Sequence, residues 1–160
     1  SLFGTIMFIS KILLEFLPNI HLLAMFIVTF TVVYRWKALI PIYIYVFLSG
    51  LFYGFGTWWV PYLYIWTVLW AVAMLLPRNM SKKVAIPVYM AVCGLHGILF
   101  GVLYAPSQAL IFGLNFKQTL AWIVSGLPFD VVHMMGNIVV GTLVYPLTTV
   151  LKKHTKSILE

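Results

Sequence analysis

Six apolar runs, separated by short clusters of Pro, Gly, Asn or basic residues, take up most of the sequence. They cover 1–17, 20–34, 38–54, 57–77, 84–104 and 128–151. The breaks are Leu17-Pro18-Asn19, Arg35-Trp36-Lys37, Gly54-Phe55-Gly56, the stretch Pro77 to Lys83, and Ala105-Pro106, read from turn-forming Pro, Gly and Asn or, at 35–37, from a cluster of charge. Surface helices of a soluble protein need a polar face, and these runs offer little with which to build one. A bilayer removes that need, and one crossing takes about 20 residues. Soluble domains are roughly half apolar and a quarter charged; this chain of 160 residues is 63% hydrophobic and 8% charged. A soluble globular domain is thereby excluded, and so is a disordered chain. The expectation is an all-α, polytopic membrane protein: one domain over 1–160, with six transmembrane helices.

Charge orients the runs. Ten Lys/Arg against three acids give a net charge of +7. In a soluble protein that would suggest nucleic acid; here the basic residues sit at the ends of apolar runs, as contact with an anionic leaflet requires. With the N-terminus in the cytoplasm, Arg35, Lys37, Arg78, Lys82, Lys83, Lys152, Lys153 and Lys156 fall on the inner side and only Lys117 on the outer. This positive-inside pattern predicts that both termini are cytoplasmic. The first run has no basic leader and no small-residue cleavage site, so it reads as a membrane segment rather than a removable signal. Segment 105–127, outside in this scheme, reads as an external loop with a short helix at 116–126. It carries Phe112, Phe116 and Trp122 and forms a lid or vestibule.

Function must then come from the few polar residues in apolar surroundings. The last run opens Pro128-Phe129-Asp130-Val131-Val132-His133-Met134-Met135-Gly136-Asn137. Pro128 suits the first turn of a helix. Asp130, His133 and Asn137 follow at i, i+3 and i+7, on one face. Such a face is costly in a membrane unless it meets protein, water or ligand. It reads as an outward-opening binding site; the alternative is a polar seam joining helices. Asp130 is the only acid in the second half before Glu160.

A second stripe runs through Trp59, Tyr62, Trp66 and Trp70, with Trp58 and Tyr64 beside it. Trp58 and Trp59 suit an interfacial belt. Tyr62 and Trp66 lie deeper, where they can wall a flat ligand. In the first run Lys11 and Glu15 stand at i, i+4, either neutralising one another or, for Glu15, facing the vestibule of Asp130. Asn19 and His21 occupy the next turn, where Asn19 can reach the ligand and His21 reads as a solvated loop histidine. Gly94, Gly97 and Gly101 share a face and permit close helix approach. His96, Tyr104 and Gln108 line up toward the outer end as further substrate contacts, although an isolated histidine there can equally be a hydrogen-bonded structural group. Cys93 stands alone, cannot form an internal disulfide and reads as a packing residue.

No HExxH, CxxC, P-loop or GxSxG occurs in the chain, so hydrolytic, redox and ATPase chemistry lack their usual signatures. No catalytic residue, metal site or cofactor is assigned, and the chain is not expected to be an enzyme.

The segment Gly126-Leu127-Pro128-Phe129-Asp130-Val131-Val132-His133, followed by Gly136-Asn137 and the basic end Lys152-Lys153, resembles the substrate-binding S components of energy-coupling factor vitamin transporters. In the riboflavin members a Pro-Phe-Asn-x-x-Lys segment opens the last helix and contacts substrate; Asp130 takes the Asn place here and His133 the Lys place. The resemblance implies capture of a vitamin or similar nutrient outside a bacterial plasma membrane. It also implies docking on a membrane coupling subunit driven by two cytoplasmic ATPases. One departure is plain: the Ala-x-x-x-Ala pattern often used for docking is missing from the first run, which has Gly4, Thr5 and Ser10 instead. An anionic Asp130 argues against riboflavin and for a flat nitrogen heteroaromatic carrying an NH or cationic group. Two other classes stay open: a small membrane enzyme moving protons through Asp130 and His133, and a structural subunit whose polar face binds another helix.

Overall fold

The computed structural model describes residues 1–159, and side chains up to residue 155; Lys156, assigned above to the inner side, lies outside the described side chains, as does Glu160. Among the described residues the fold is all-helical, without strands. The helices are α1 (Leu2–Leu13), α2 (Leu23–Tyr34), α3 (Leu39–Tyr53), α4 (Tyr62–Met74), α5 (Lys82–Ile98), α6 (Phe100–Phe112), α7 (Phe116–Gly141) and α8 (Val144–Leu159), with 3-10 turns at Arg35–Ala38 and Thr57–Trp59. Helices α1 to α6 begin without a side-chain cap. In apolar surroundings a helix needs little encouragement, because no other conformation satisfies the backbone within one segment.

Contacts along the helices give their directions. Phe3 packs on Phe30 and Tyr34, with ring centroids at 4.7 and 5.7 Å, so α1 runs against α2. The Trp70 indole donates to the Arg35 carbonyl at 3.2 Å, Tyr43 and Thr67 hydroxyls meet at 2.8 Å, and the Trp59 indole donates to the Val46 carbonyl at 2.8 Å. Thus α3 runs against α4. His21, just before α2, meets Trp66 near the middle of α4, while Arg35, just after α2, reaches the carbonyls of Met74 and Leu76 at the end of α4. Hence α2 runs along α4, and the chain must double back between α2 and α3. The reversal is made by Arg35 itself, at φ 54° and ψ −118°, a region uncommon for a residue with a Cβ. Its guanidinium ties the turn to the end of α4.

Helices α5 and α6 form one line, interrupted only at Leu99 (φ −90°, ψ 0°). They pair antiparallel with α7 in a long hairpin. Gly141 faces Met90, Gly97 lies on the backbone of Met134, and Gly101 faces Asp130. The tip is Gly113, in left-handed conformation at φ 64°, followed by Asn115. The Asn115 side chain accepts the Gln118 amide at 3.0 Å, and its own amide donates to the Gln118 side chain at 2.9 Å, a capping box that starts α7.

This hairpin corrects the expectation for 105–127. Only residues 113–115 are loop, and the flanking stretches are helical. The expected stop at Pro106 and the expected helix start at Pro128 instead lie inside α6 and α7. Each proline removes one amide donor, but leaving the helix would expose far more backbone to an apolar environment. The final run, expected over 128–151, divides at Thr142-Leu143 into α7 and α8.

The core surrounds α2, where Leu23, Ala24, Ile27, Val28 and Val32 are inaccessible, and extends to Met7, Tyr45, Trp66, Tyr89 and Cys93. A helix apolar all round is a buried helix. Three helical stretches are long and apolar enough to cross a membrane: Leu23–Tyr53 (the two arms α2 and α3), Lys82–Phe112 and Phe116–Gly141. They suit a membrane protein with transmembrane helices.

Candidate ligand site

Asp130 lies on the face of α7 turned to the break at Leu99. A straight helix would commit the Gly101 amide to a carbonyl one turn back. The break leaves it available, and it donates to both carboxylate oxygens of Asp130 at 3.2 Å each. The carboxylate thus also sits at the first turn of α6, where the helix dipole favours negative charge. Gly101 is needed for this approach, since a Cβ would collide with Asp130 Oδ2. One amide leaves much of a carboxylate's accepting capacity unused.

The unused side lines a cavity of about 430 Å³. Its walls include Trp58, Phe100, Tyr104, Trp122 and Phe129, with Asn19 and Gln108 as neutral polar groups. Tyr104 is fixed in place: it stacks on Trp122 with centroids 5.8 Å apart and donates to the Trp58 carbonyl at 3.1 Å. Asn19 owes its position to a backbone at φ 58°, which asparagine tolerates better than most residues. Of the residues expected at a site, Asp130, Asn19, Tyr104 and Gln108 therefore come together here.

Trp58 also borders a second cavity of about 310 Å³, lined by Lys11, Glu15, Tyr45, Ser49, Tyr53 and Tyr62. Glu15 and Tyr62 thus belong to a neighbouring chamber rather than to that of Asp130. Trp59 lines neither: its indole is bound to the Val46 carbonyl and its ring packs on Phe55 at 5.0 Å, so it anchors the turn before α4.

His133 and Asn137 continue the polar face inward and are buried. The Asn137 amide donates to the Cys93 carbonyl at 3.1 Å. The His133 ring meets His21 at 4.7 Å and Phe100 at 4.9 Å. His21 is thereby corrected: it is not solvated but 8% exposed, folded in between His133 and Trp66. Its imidazole is held well below the ordinary pKa, mainly by burial and then by His133, Lys11 and His96. His96 lies behind Trp66 and Phe100, with its Nε2 3.3 Å from the Ile65 carbonyl. Trp66 is fully buried among these rings. Trp66 and His96 therefore support the floor rather than line the Asp130 cavity.

Five polar atoms in this layer are buried without a hydrogen-bond partner: His21 Nδ1, Trp66 Nε1, His96 Nδ1, His133 Nε2 and Asn137 Oδ1. Buried polar atoms are ordinarily satisfied, so their concentration beneath one cavity marks polar capacity that the protein itself does not use. Among the described residues, no group of three or more His, Cys, Asp or Glu side chains is arranged to hold a metal ion.

Two participants carry no signal in the sequence as ligand contacts: Phe100 looks like any other membrane aromatic, and Gly101 reads as a packing residue. Trp122, expected in the lid, does line the cavity. The chain matches no family model, no curated protein and no solved structure.

Proposed function

We propose that the protein is a membrane substrate-capture subunit. It takes up a small, flat nitrogen heteroaromatic nutrient bearing an NH or cationic group. The observation carrying this reading is the pairing of one buried carboxylate, Asp130, with an aromatic-walled cavity of about 430 Å³. The volume suits a small ligand, the rings suit stacking, and the carboxylate suits a charge-assisted hydrogen bond.

Six crossings with both termini in the cytoplasm complete the proposal. Alternating directions of α1, α2, α3, α4, the α5–α6 line and α7 support it. So does the charge pattern: Arg35, Arg78 and Lys152 gather at one end, whereas the Asp130 cavity opens at the other, beside Asn19 and Thr57. Such a subunit resembles the S components named above. Its transport partners would be a membrane coupling subunit and two ATPases, since the chain has no nucleotide motif of its own.

Native mass spectrometry of the purified protein against a panel of vitamins and nucleobases tests the reading. It expects one tightly retained heteroaromatic, weakened by Asp130→Asn. If no member of the panel binds, or Asp130→Asn leaves the affinity unchanged, the assignment fails.

A further inference from the structure

The chamber beside the Asp130 cavity, about 310 Å³, lies between the end of α1, the second half of α3 and the start of α4. Its inner end is neutral and closed. Tyr45 and Ser49 are 1% and 2% exposed there, and the Ser49 hydroxyl donates to the Tyr45 carbonyl at 2.9 Å. The accessible walls are Lys11, Glu15, Tyr53, Trp58 and Tyr62.

Three features point to a ligand and to its class. First, the ionised residues lining the chamber are one cation, Lys11, and one anion, Glu15. They stand one helical turn apart, about 5 Å along the axis, yet no ion pair joins them. Unmatched charges are costly in a membrane. A ligand of one sign would answer only one of the two, whereas a zwitterion answers both. Second, three rings stand beside the carboxylate. Trp58 is at 89° to Tyr53 and at 89° to Tyr62, with centroids 6.2 and 5.4 Å away, and Glu15 lies within reach of the Tyr53 hydroxyl. Rings crossed at right angles form walls of a box. A methylated ammonium has no N–H to satisfy and settles against ring faces, whereas a primary ammonium needs three acceptors. Third, the chamber is near the lower limit for a small-molecule site, so it suits a compact group.

We propose that this chamber binds a small zwitterion made of a methylated ammonium and an acidic group. The ammonium lies among Tyr53, Trp58 and Tyr62 against Glu15, and the acidic group meets the Lys11 ammonium. The site does not rest on the nutrient reading, since Trp58 is the only wall it shares with the Asp130 cavity.

Titration calorimetry of the purified full chain with glycine betaine tests it. Saturable binding at millimolar concentration or below is expected, at least fivefold tighter than that of tert-butylacetate, in which carbon replaces the charged nitrogen. Glu15→Gln and Tyr53→Leu should each weaken betaine binding at least threefold. Lys11→Met should weaken it too, but leave the binding of choline, which lacks the acidic group, unchanged. Asp130→Asn should leave betaine binding intact, which separates this test from that of the nutrient. Competition with dioleoylphosphatidylcholine then identifies the source of the zwitterion. Displacement of betaine by this lipid, but not by dioleoylphosphatidylglycerol, assigns the site to a lipid headgroup, and persistence of betaine assigns it to a free solute. If the wild type binds neither betaine nor phosphatidylcholine, or binds tert-butylacetate as tightly as betaine, the proposal is overturned without recourse to any variant. Betaine affinity indifferent to both Glu15→Gln and Tyr53→Leu overturns it as well.

Discussion

The Gly101 amide donates to both carboxylate oxygens of Asp130 at 3.2 Å, joining the break in the α5–α6 line to α7. Gly101→Ala places a methyl group where Oδ2 now lies, so it should act on Asp130 without touching its charge. We expect ligand affinity to fall at least tenfold, measured by titration of the purified variant, with helix content by circular dichroism unchanged. Wild-type affinity would show that the carboxylate does not need this seat.

Asp130→Asn keeps the shape and removes the charge. Loss of a charge-assisted hydrogen bond to a ligand should weaken binding by about 1.5–3 kcal/mol, read from the same titration. Glu15→Gln, in the adjoining chamber, should change it by less than about 0.5 kcal/mol.

The Arg35 turn reverses an ordinary ranking. Glycine in helical surroundings is usually less stable than alanine, but at φ 54° alanine carries the strain that glycine avoids. Both Arg35→Ala and Arg35→Gly lose the bonds to Met74 and Leu76 and should lower stability by about 2 kcal/mol. The glycine variant should nevertheless melt higher than the alanine variant in a thermal scan.

His21 gives a pH dependence. Its pKa is lowered in the folded protein, first by burial, whereas an unfolded imidazole titrates near 6.5. Above that value both states are neutral and the fold keeps its full stability. Below it the unfolded state takes a proton that folded His21 refuses, so stability falls as the pH drops, by at most about 1.4 kcal/mol per pH unit for this group. His133 and His96 face the same ring, so His21→Phe should flatten the melting temperature between about pH 6.5 and 5 without abolishing its slope. An unchanged slope would sink this account.

Topology can be read by labelling. In a Cys93→Ala background, a membrane-impermeant maleimide added outside intact cells should modify Lys117→Cys and spare Lys153→Cys. The reverse pattern would contradict the proposed orientation.

Much of this was legible from the sequence because apolar runs and breakers speak directly about helices. The breaks at Pro18-Asn19, Arg35-Trp36-Lys37 and Gly54-Phe55-Gly56 all fall at real turns. The same signals misled at Pro106 and Pro128, since proline's cost is set by the alternatives available to the backbone, and an apolar setting leaves few. Spacing placed Asp130, His133 and Asn137 on one face, and all three are buried together along α7. It could not place His21 against His133, because that contact depends on how the Asn19 turn folds in three dimensions. Nor could it separate Glu15 and Tyr62 from Asp130: the partition is a single ring, Trp58, whose position depends on the 3-10 turn that carries it.

The break at Leu99 has a bearing on selectivity. Because Asp130 completes the hydrogen bonding of another helix, the Gly101 amide holds its carboxylate in one orientation and leaves its remaining lone pairs for the cavity it lines. On the proposed function, a ligand donor would meet a carboxylate already aimed, and the kink in the hairpin would set the direction of approach rather than the size of the chamber.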